Sequence, residues 1–221
     1  MGYEVVLFDL DGTVTDSGPG IMNSVQYALG RFGIMNPDRA VLRRFVGPPL
    51  DDSFMRFYGF SRKEAWKAVQ YYREYYSAGG IFENTLYEGI KETLEQLKNC
   101  GCRVCLATSK PQVFSEQILE HFGLMPFFDG ITGSFLDGTR VNKAEVVEEA
   151  LRQAGITGDN RDRAVMVGDR EYDIYGAHEH GIAAIGVLYG YGSREELENA
   201  GADRLAETPE DILTIVMNGG N

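Results

Sequence analysis

Two aspartates, two residues apart, end the first apolar run of the chain. The run from Val5 to Phe8 is rich in β-branched and aromatic residues, and Asp9, Asp11 and Gly12 follow it at once. Such a run predicts a buried strand, and ligands of open α/β sheets bind at the carboxyl ends of strands. Two carboxylates this close repel each other unless a cation or a substrate proton relieves them. The pair therefore predicts a ligand site, although an ordinary Asp-Gly turn would give the same short pattern.

Two hydroxyls and a lysine stand at the end of a second predicted strand. Thr108, Ser109 and Lys110 follow the strand predicted over residues 103–107 and precede Pro111, a residue suited to the first helical position. A hydroxyl next to a helix N-terminus offers an anion a side-chain donor together with free backbone N–H groups. The alternative is that Thr108 or Ser109 only caps the helix.

A further lysine begins a predicted helix. Lys143 opens the helix predicted over residues 143–154, where the macrodipole disfavours a cation by a few tenths to about 1 kcal/mol. A bound phosphate or a carboxylate would compensate this cost. Lys110 competes for the same role, and an isolated surface lysine is the alternative.

A second acidic pair follows another buried strand. Asp169 comes after the strand predicted over residues 164–167, and Asp173 lies four residues further on, on the same side of the helix that begins here. Acidic residues in a first helical turn commonly complement the macrodipole. Together with Asp9 and Asp11, however, the pair makes a four-carboxylate cluster at one edge of the sheet. Mg²⁺, which prefers carboxylate, carbonyl and water oxygens, fits such a cluster best.

Together these groups predict a site for phosphoryl chemistry. Asp9 would attack phosphorus and form an aspartyl-phosphate, while the metal and Lys143 neutralise the charge on the equatorial oxygens. Asp11 would protonate the departing oxygen and then activate the hydrolytic water. One carboxylate cannot do both jobs efficiently, which is a physical reason for the pair.

The elements that must position these residues alternate along most of the chain. Strands alternate with helices in the C-terminal part, which implies right-handed βαβ units and a doubly wound, Rossmann-like parallel sheet. From about residue 18 to 82 only helical patterns occur. We therefore predict an α/β core made of residues 1–15 and 85–221, with a small helical cap domain, residues 16–84, inserted after the first strand.

Composition limits the classes of partner. The 221 residues are 43% hydrophobic and 24% charged, which is typical of a globular protein. The net charge of −12 argues against a nucleic-acid or anionic membrane surface. Since the chain has neither a membrane-spanning apolar run nor a leader-like segment before the first strand, we expect a cytoplasmic protein. The expected assembly is a monomer or a homodimer. Cys100, Cys102 and Cys105 are expected to be small buried hydrophobes.

The four groups, in this order, resemble the motifs of the haloacid dehalogenase superfamily of phosphohydrolases. The match runs from Asp-x-Asp-Gly-Thr at residues 9–13, through Thr108 and Lys143, to the Gly-Asp of residues 168–169 and Asp173. It extends over nearly the whole chain and is strongest to phosphoglycolate-phosphatase-like members, which have a helical cap between the first two motifs. The fold implied is the α/β core with a cap that is predicted above.

The resemblance also implies the role of each residue. Asp9 would be the nucleophile and Asp11 the general acid and base. Mg²⁺ would be held by Asp9, Asp169 and the backbone carbonyl of Asp11, with Asp173 helping directly or through water. The candidate phosphate-binding residues are Gly12, Thr108, Ser109, Lys110 and Lys143. Many relatives have Lys-Pro at the lysine motif, whereas Ala144 follows Lys143 here, which keeps Lys110 in competition.

The cap is expected to select the substrate, because the core motifs bind only the phosphoryl group. Gly47 and Pro48 would form a stiff loop able to reach the active site, and Arg43 could meet a carboxylate or a second phosphate. The alternative is a breaker between helices beside solvated arginines.

The leading hypothesis is a Mg²⁺-dependent phosphatase acting on a small phosphorylated metabolite such as phosphoglycolate or a nucleoside monophosphate. A sugar phosphomutase and an inorganic pyrophosphatase are the alternatives within the superfamily. A phosphate-binding regulatory module without turnover is the alternative outside enzymes.

Overall fold

The structure is a computed structural model that describes residues 2–219 of the chain. It divides into two compact units. The first contains the residues up to Thr15 together with those from Leu86 onward, and the second contains Asp16–Thr85.

The first unit is built on a six-stranded parallel sheet. In chain order, the strands of the protein are β1 (Val5–Phe8), β2 (Thr15–Asp16), β3 (Thr85–Leu86), β4 (Arg103–Pro111), β5 (Gly130–Ser134), β6 (Ala164–Gly168), β7 (Ala183–Val187) and β8 (Arg204–Ala206). The large sheet has the order β5-β4-β1-β6-β7-β8, and its neighbouring strands all pair in parallel. The chain passes between the two units at β2 and again at β3. The predicted doubly wound α/β fold is confirmed.

Ten α-helices are assigned within residues 2–219. They are α1 (Gly18–Gly30), α2 (Arg39–Arg43), α3 (Leu50–Tyr58), α4 (Arg62–Ala78), α5 (Ile90–Asn99), α6 (Gln112–His121), α7 (Lys143–Gln153), α8 (Glu171–Glu179), α9 (Arg194–Ala200) and α10 (Pro209–Asn218). Short 3-10 helices cover Gly80–Phe82, Met125–Phe127 and Gly158–Arg163. No helix within the described residues has both the length and the apolar character that a bilayer crossing requires.

The centre of the sheet is buried because its side chains are apolar on both faces. All four residues of β1 are buried, as expected for a central strand of a parallel sheet. Alternate residues of neighbouring strands point to the same face, where Leu7, Cys105 and Met166 pack in one apolar cluster with Val147 of α7 and Ile174 of α8. The carboxyl end of β1 is therefore fixed by core packing in the middle of the sheet.

Strand β4 is longer than predicted, and this changes the local structure around its end. The strand continues through Pro111, with a register shift against β5 between Ala107 and Pro111. Pro111 is thus the residue that precedes α6, not its first helical residue as predicted. Thr108 and Ser109 lie within the strand, so neither of them is the cap of that helix.

Two further features differ from the prediction. Strand β8 was not predicted, because three residues carry no readable periodicity. All three cysteines are free, but only Cys102 and Cys105 are buried, whereas Cys100 follows α5 and is exposed.

The second unit is helical within the described residues, apart from the strand ends at its two borders. Helix α4 begins with a capping box, in which Ser61 and Glu64 satisfy each other's backbone N–H groups. The interior of the second unit is aromatic, and the ring of Phe45 lies 5.0 Å from that of Phe54. Arg43 ends α2 and is exposed, and Gly47, with a φ of 101°, and Pro48 lie between α2 and α3. The specificity role of these three residues stays a prediction.

Candidate active site

Asp9 is the residue that directly follows the central strand β1. Its backbone N–H donates to the carbonyl of Val167 at 2.9 Å, so the neighbouring strand β6 holds the nucleophile candidate in register. The side chain is only 8% exposed. Burial raises the pKa of Asp9 to about 6, against the opposing charge of Lys143. A carboxylate in this position is costly to ionise unless cations surround it.

Lys143 supplies one of those cations. Its Nζ lies 2.7 Å from Asp9 Oδ1 and 2.8 Å from Asp173 Oδ1, and it donates to the carbonyl of Ala107 at 3.2 Å. Burial favours the neutral amine, but the charges of Asp173 and Asp9 outweigh it and raise the pKa of the Lys143 ammonium. The two carboxylates thus offset the cost of a cation in the first turn of α7.

Three buried carboxylates converge beside this lysine. Asp9, Asp169 and Asp173 each offer one oxygen, and these oxygens lie within 4.8 Å of one another. Asp169 Oδ2 accepts the backbone N–H of Tyr191 at 2.7 Å, while no group within residues 2–219 donates to its buried Oδ1. Burial, and next the charges of Asp173 and Asp9, raise the pKa of Asp169 well above its usual range. Oxygen ligands, excess negative charge and an unsatisfied buried oxygen fit a hard divalent cation such as Mg²⁺.

Asp11 lies apart from this group. Lys110 Nζ contacts both of its carboxylate oxygens, at 2.9 and 2.8 Å, and both side chains are buried. The predicted four-carboxylate cluster is therefore three carboxylates beside a separate Asp11–Lys110 pair. This also separates the two competing lysines, because Lys143 is paired with Asp9 and Lys110 with Asp11.

The turn after Asp11 depends on a glycine. Gly12 has a φ of 87°, and a Cβ added there would lie 2.2 Å from Asp169 Oδ2. The turn is closed by the carbonyl of Leu10, which accepts the N–H groups of Val14 and Thr15, each at 3.0 Å. The turn that follows β1 thus comes close to Asp169, which follows β6, at a position that only glycine fits.

The hydroxyl candidates lie at the end of β4. Thr108 is buried and directly follows Ala107, whose carbonyl meets Lys143, and its Oγ1 accepts the backbone N–H of Lys110 at 3.3 Å. Ser109 is half-buried, and its carbonyl accepts the hydroxyl of Ser134 at 2.7 Å. Thr108 is thus the hydroxyl whose backbone adjoins the Lys143 contact, and the phosphate-binding roles of both residues stay predictions.

One part of the site was missed in the sequence analysis. The segment after β7, residues 188–193, contacts Asp169 through Tyr191, and Tyr189 Oη donates to the carbonyl of Thr13 at 3.0 Å. A Gly-Tyr-Gly sequence at residues 190–192, two residues after the strand predicted over residues 183–187, was the available signal, because closely spaced glycines mark places where backbones approach each other.

The parallel sheet and the carboxylate–lysine cluster at the end of its central strand define an α/β phosphohydrolase. Residues 6–187 match the sequence profile of the family described as haloacid dehalogenase-like hydrolase. The match spans most of the chain, and the protein belongs to that family. The family predicted from the motifs is confirmed, and together with the relatives named 5'-nucleotidase and phosphoglycolate phosphatase it shows that the protein is a phosphatase.

Individual relatives carry more specific names. A 5'-nucleotidase from Pseudomonas aeruginosa is 47% identical over 195 residues, which span 88% of this chain and 87% of that protein. Tyrosine-protein kinase PtkA from Mycobacterium tuberculosis is 39% identical over 88% of this chain and 65% of that protein. A phosphoglycolate phosphatase from Vibrio parahaemolyticus is 26% identical over 96% of both chains.

Solved structures agree with the fold. The structure of a predicted phosphatase from Clostridium acetobutylicum is 47% identical, covers 99% of this chain and 100% of that chain, and superimposes with a TM-score of 0.94. The similarity extends over both units of this chain.

Proposed function

We propose that the protein hydrolyses a small phosphomonoester with the help of Mg²⁺, through a phosphorylated form of Asp9. The observation that carries the proposal is the position of Asp9, a buried carboxylate paired with Lys143 and grouped with Asp169 and Asp173. A carboxylate with cations beside it is suited to attack phosphorus, because the cations offset the negative charge of the phosphoryl oxygens.

The metal would be held by residues that follow β1 and β6. These are the carboxylates of Asp9 and Asp169 and the backbone carbonyl of Asp11, with Asp173 contributing directly or through water. When bound, Mg²⁺ supplies positive charge against the phosphoryl oxygens and the clustered carboxylates.

The protein's own residues then carry out two displacements. In the first, a carboxylate oxygen of Asp9 bonds to phosphorus, the bond from phosphorus to the substrate oxygen breaks, and Asp11 gives that oxygen a proton. In the second, Asp11 takes a proton from water, whose oxygen bonds to phosphorus while the bond to Asp9 breaks, and inorganic phosphate leaves. Lys143 stays paired with Asp9, and Thr108 binds a phosphoryl oxygen.

We propose a nucleoside 5'-monophosphate as the first substrate class to test. The support is the Pseudomonas aeruginosa relative named 5'-nucleotidase, at 47% identity. Phosphoglycolate is the second class, supported by the motif resemblance and by the more distant Vibrio parahaemolyticus relative. Arg43, Gly47 and Pro48 remain the residues predicted to distinguish the two.

The test is phosphate release from a panel of nucleoside 5'-monophosphates, phosphoglycolate, a sugar phosphate and pyrophosphate, with Mg²⁺ and with a chelator. Asp9→Asn is expected to abolish release, and Asp169→Asn to raise the half-saturating Mg²⁺ concentration by about tenfold or more. Asp162→Asn, a change on the exposed surface, is the matched control. Full activity of Asp9→Asn, or full activity without divalent cation, would contradict the proposal.

Two other outcomes would assign a different activity. Conversion of the sugar phosphate to an isomer without net phosphate release would identify a phosphomutase. Hydrolysis confined to pyrophosphate would identify a pyrophosphatase. For the main proposal, an acid-quenched reaction should also yield a phosphorylated peptide that contains Asp9.

A further inference from the structure

The segment between β7 and α9, residues 188–193, lies against the turn that carries Asp11. Within the first unit, one hydrogen bond joins the segment to Asp169, which follows β6, and another joins it to the turn itself. The backbone N–H of Tyr191 donates to Asp169 Oδ2 at 2.7 Å, and Tyr189 Oη donates to the carbonyl of Thr13 at 3.0 Å. The first bond orients a carboxylate of the site, whereas the second holds the backbone two residues after Asp11.

The backbone of this segment packs closely against residues of the site. A Cβ added at Gly190 would lie 2.4 Å from both Asp169 Cβ and the carbonyl oxygen of Gly12, and one added at Gly192 would lie 2.0 Å from the carbonyl oxygen of Asp169. Because both glycines touch backbone that flanks the site, the position of the segment and the position of the Asp11 turn are set together.

The ring of Tyr189 is itself fixed. Its centroid lies 4.8 Å from that of Tyr87, with 57° between the ring planes, and the backbone N–H of Tyr87 lies 3.4 Å from the carbonyl of Val14. Burial raises the pKa of the Tyr189 hydroxyl well above its ordinary value, so the hydroxyl keeps its proton and acts as a donor. The phenol therefore connects a rigid aromatic pair to the carbonyl of Thr13.

We propose that Tyr189 is a positioning residue for Asp11, which acts by holding the carbonyl of Thr13 and thereby the turn from which the Asp11 carboxylate projects. The inference rests on the proposed function, in which Asp11 gives a proton to the departing oxygen. Small displacements of an acid from its hydrogen-bonding geometry lower the rate of the step that it assists. Removal of this hydroxyl should leave the fold intact, because the ring of Tyr189 can still pack on the ring of Tyr87.

The test uses two substrates that need the acid to different degrees. Nitrophenolate can leave without being protonated, whereas the alkoxide of an alkyl phosphomonoester needs a proton from the acid. The ratio kcat/KM reports the steps up to the first bond cleavage. For Tyr189→Phe we expect kcat/KM to fall about tenfold for the alkyl phosphomonoester and less than about twofold for p-nitrophenyl phosphate. Tyr175→Phe, on the exposed face of α8, is the control and should change neither value.

Asp11→Asn separates failure of this inference from failure of the proposed function. Like Tyr189→Phe, it should lower kcat/KM more for the alkyl phosphomonoester than for p-nitrophenyl phosphate, and the loss should be larger than in Tyr189→Phe. If Asp11→Asn shows this selectivity but Tyr189→Phe lowers kcat/KM equally for both substrates, or for neither, the positioning role of Tyr189 is overturned. If Asp11→Asn lacks the selectivity, the acid role of Asp11 in the proposed function fails instead. Thermal unfolding of Tyr189→Phe should match that of the unmodified protein within a few degrees, since one exchanged hydroxyl shifts stability little.

Discussion

Lys143 Nζ lies 2.7 Å from Asp9 Oδ1, although 134 positions separate the two residues in the chain. The same ammonium lies 2.8 Å from Asp173 Oδ1. One cation in the first turn of α7 thus bridges carboxylates that follow two different strands. Removing one partner from such a buried pair leaves an uncompensated charge, which typically costs about 3–5 kcal/mol.

Lys143→Met is expected to lower both activity and stability. The loss of the ammonium should reduce kcat/KM by about 100-fold or more, because a charge that faces the reacting group is removed. The free energy of unfolding at pH 7, measured by urea titration, should fall by about 3 kcal/mol. Lys98→Met is the matched control, because Lys98 pairs with Asp129 at the surface, where such pairs contribute about 0–1 kcal/mol. A fully active Lys143→Met protein would refute its role.

Lys110→Met tests which lysine serves Asp11. Because Lys110 contacts both oxygens of Asp11, we expect kcat to fall about tenfold with KM and inhibition by inorganic phosphate nearly unchanged. Steady-state kinetics with phosphate as a competitive inhibitor provides the measurement. The opposite pattern, weak phosphate inhibition with kcat retained, would make Lys110 a phosphate ligand.

In the metal-free protein, the contribution of Asp9 to stability should decrease as the pH rises from about 4 to 6. The pKa of Asp9 is about 6 in the folded state and near 3.8 in the unfolded chain, so the folded state binds the extra proton in this interval. By linkage, stability is highest below the unfolded pKa and is lost as the pH passes through the folded pKa. The loss should be on the order of 1–3 kcal/mol, and Asp169, whose pKa is also raised, acts in the same direction.

Urea unfolding at pH 5 and pH 7, with a chelator and with Mg²⁺, measures this effect. Asp9→Asn should show a smaller decrease between the two pH values than the unmodified protein. Mg²⁺ should stabilise the protein more at pH 7 than at pH 5, because protons compete for the carboxylates at low pH. An identical decrease in Asp9→Asn would show that Asp9 does not titrate in this range.

Gly12→Ala and Gly101→Ala separate backbone strain from steric contact. Both glycines have positive φ, 87° and 84°, but a Cβ at Gly12 would lie 2.2 Å from Asp169 Oδ2, whereas one at Gly101 would meet nothing within 4 Å. Gly101→Ala should lower stability by about 1 kcal/mol and keep full activity. Gly12→Ala should lose activity and raise the Mg²⁺ requirement. Equal behaviour of the two variants in both assays would mean that the contact with Asp169 is unimportant.

The sequence by itself determined the fold and the set of groups at the strand ends. A four-residue apolar run followed by Asp9 and Asp11, and the alternation of strands with helices, reflect hydrophobic periodicity, which is a local property. The parallel arrangement then follows, because βαβ crossovers bring the carboxyl ends of strands to one edge. Asp169 could be placed near Asp9 on this basis.

Only the tertiary structure decided how those groups pair. Which lysine meets which aspartate depends on strand order and on the continuation of β4 through Pro111, which places Lys110 inside a strand and opposite Asp11. The contact of Tyr189 with Thr13 joins residues 176 positions apart through a segment without regular structure. Neither contact leaves a periodic signal, because side-chain pairing between distant segments is fixed by packing and not by local pattern.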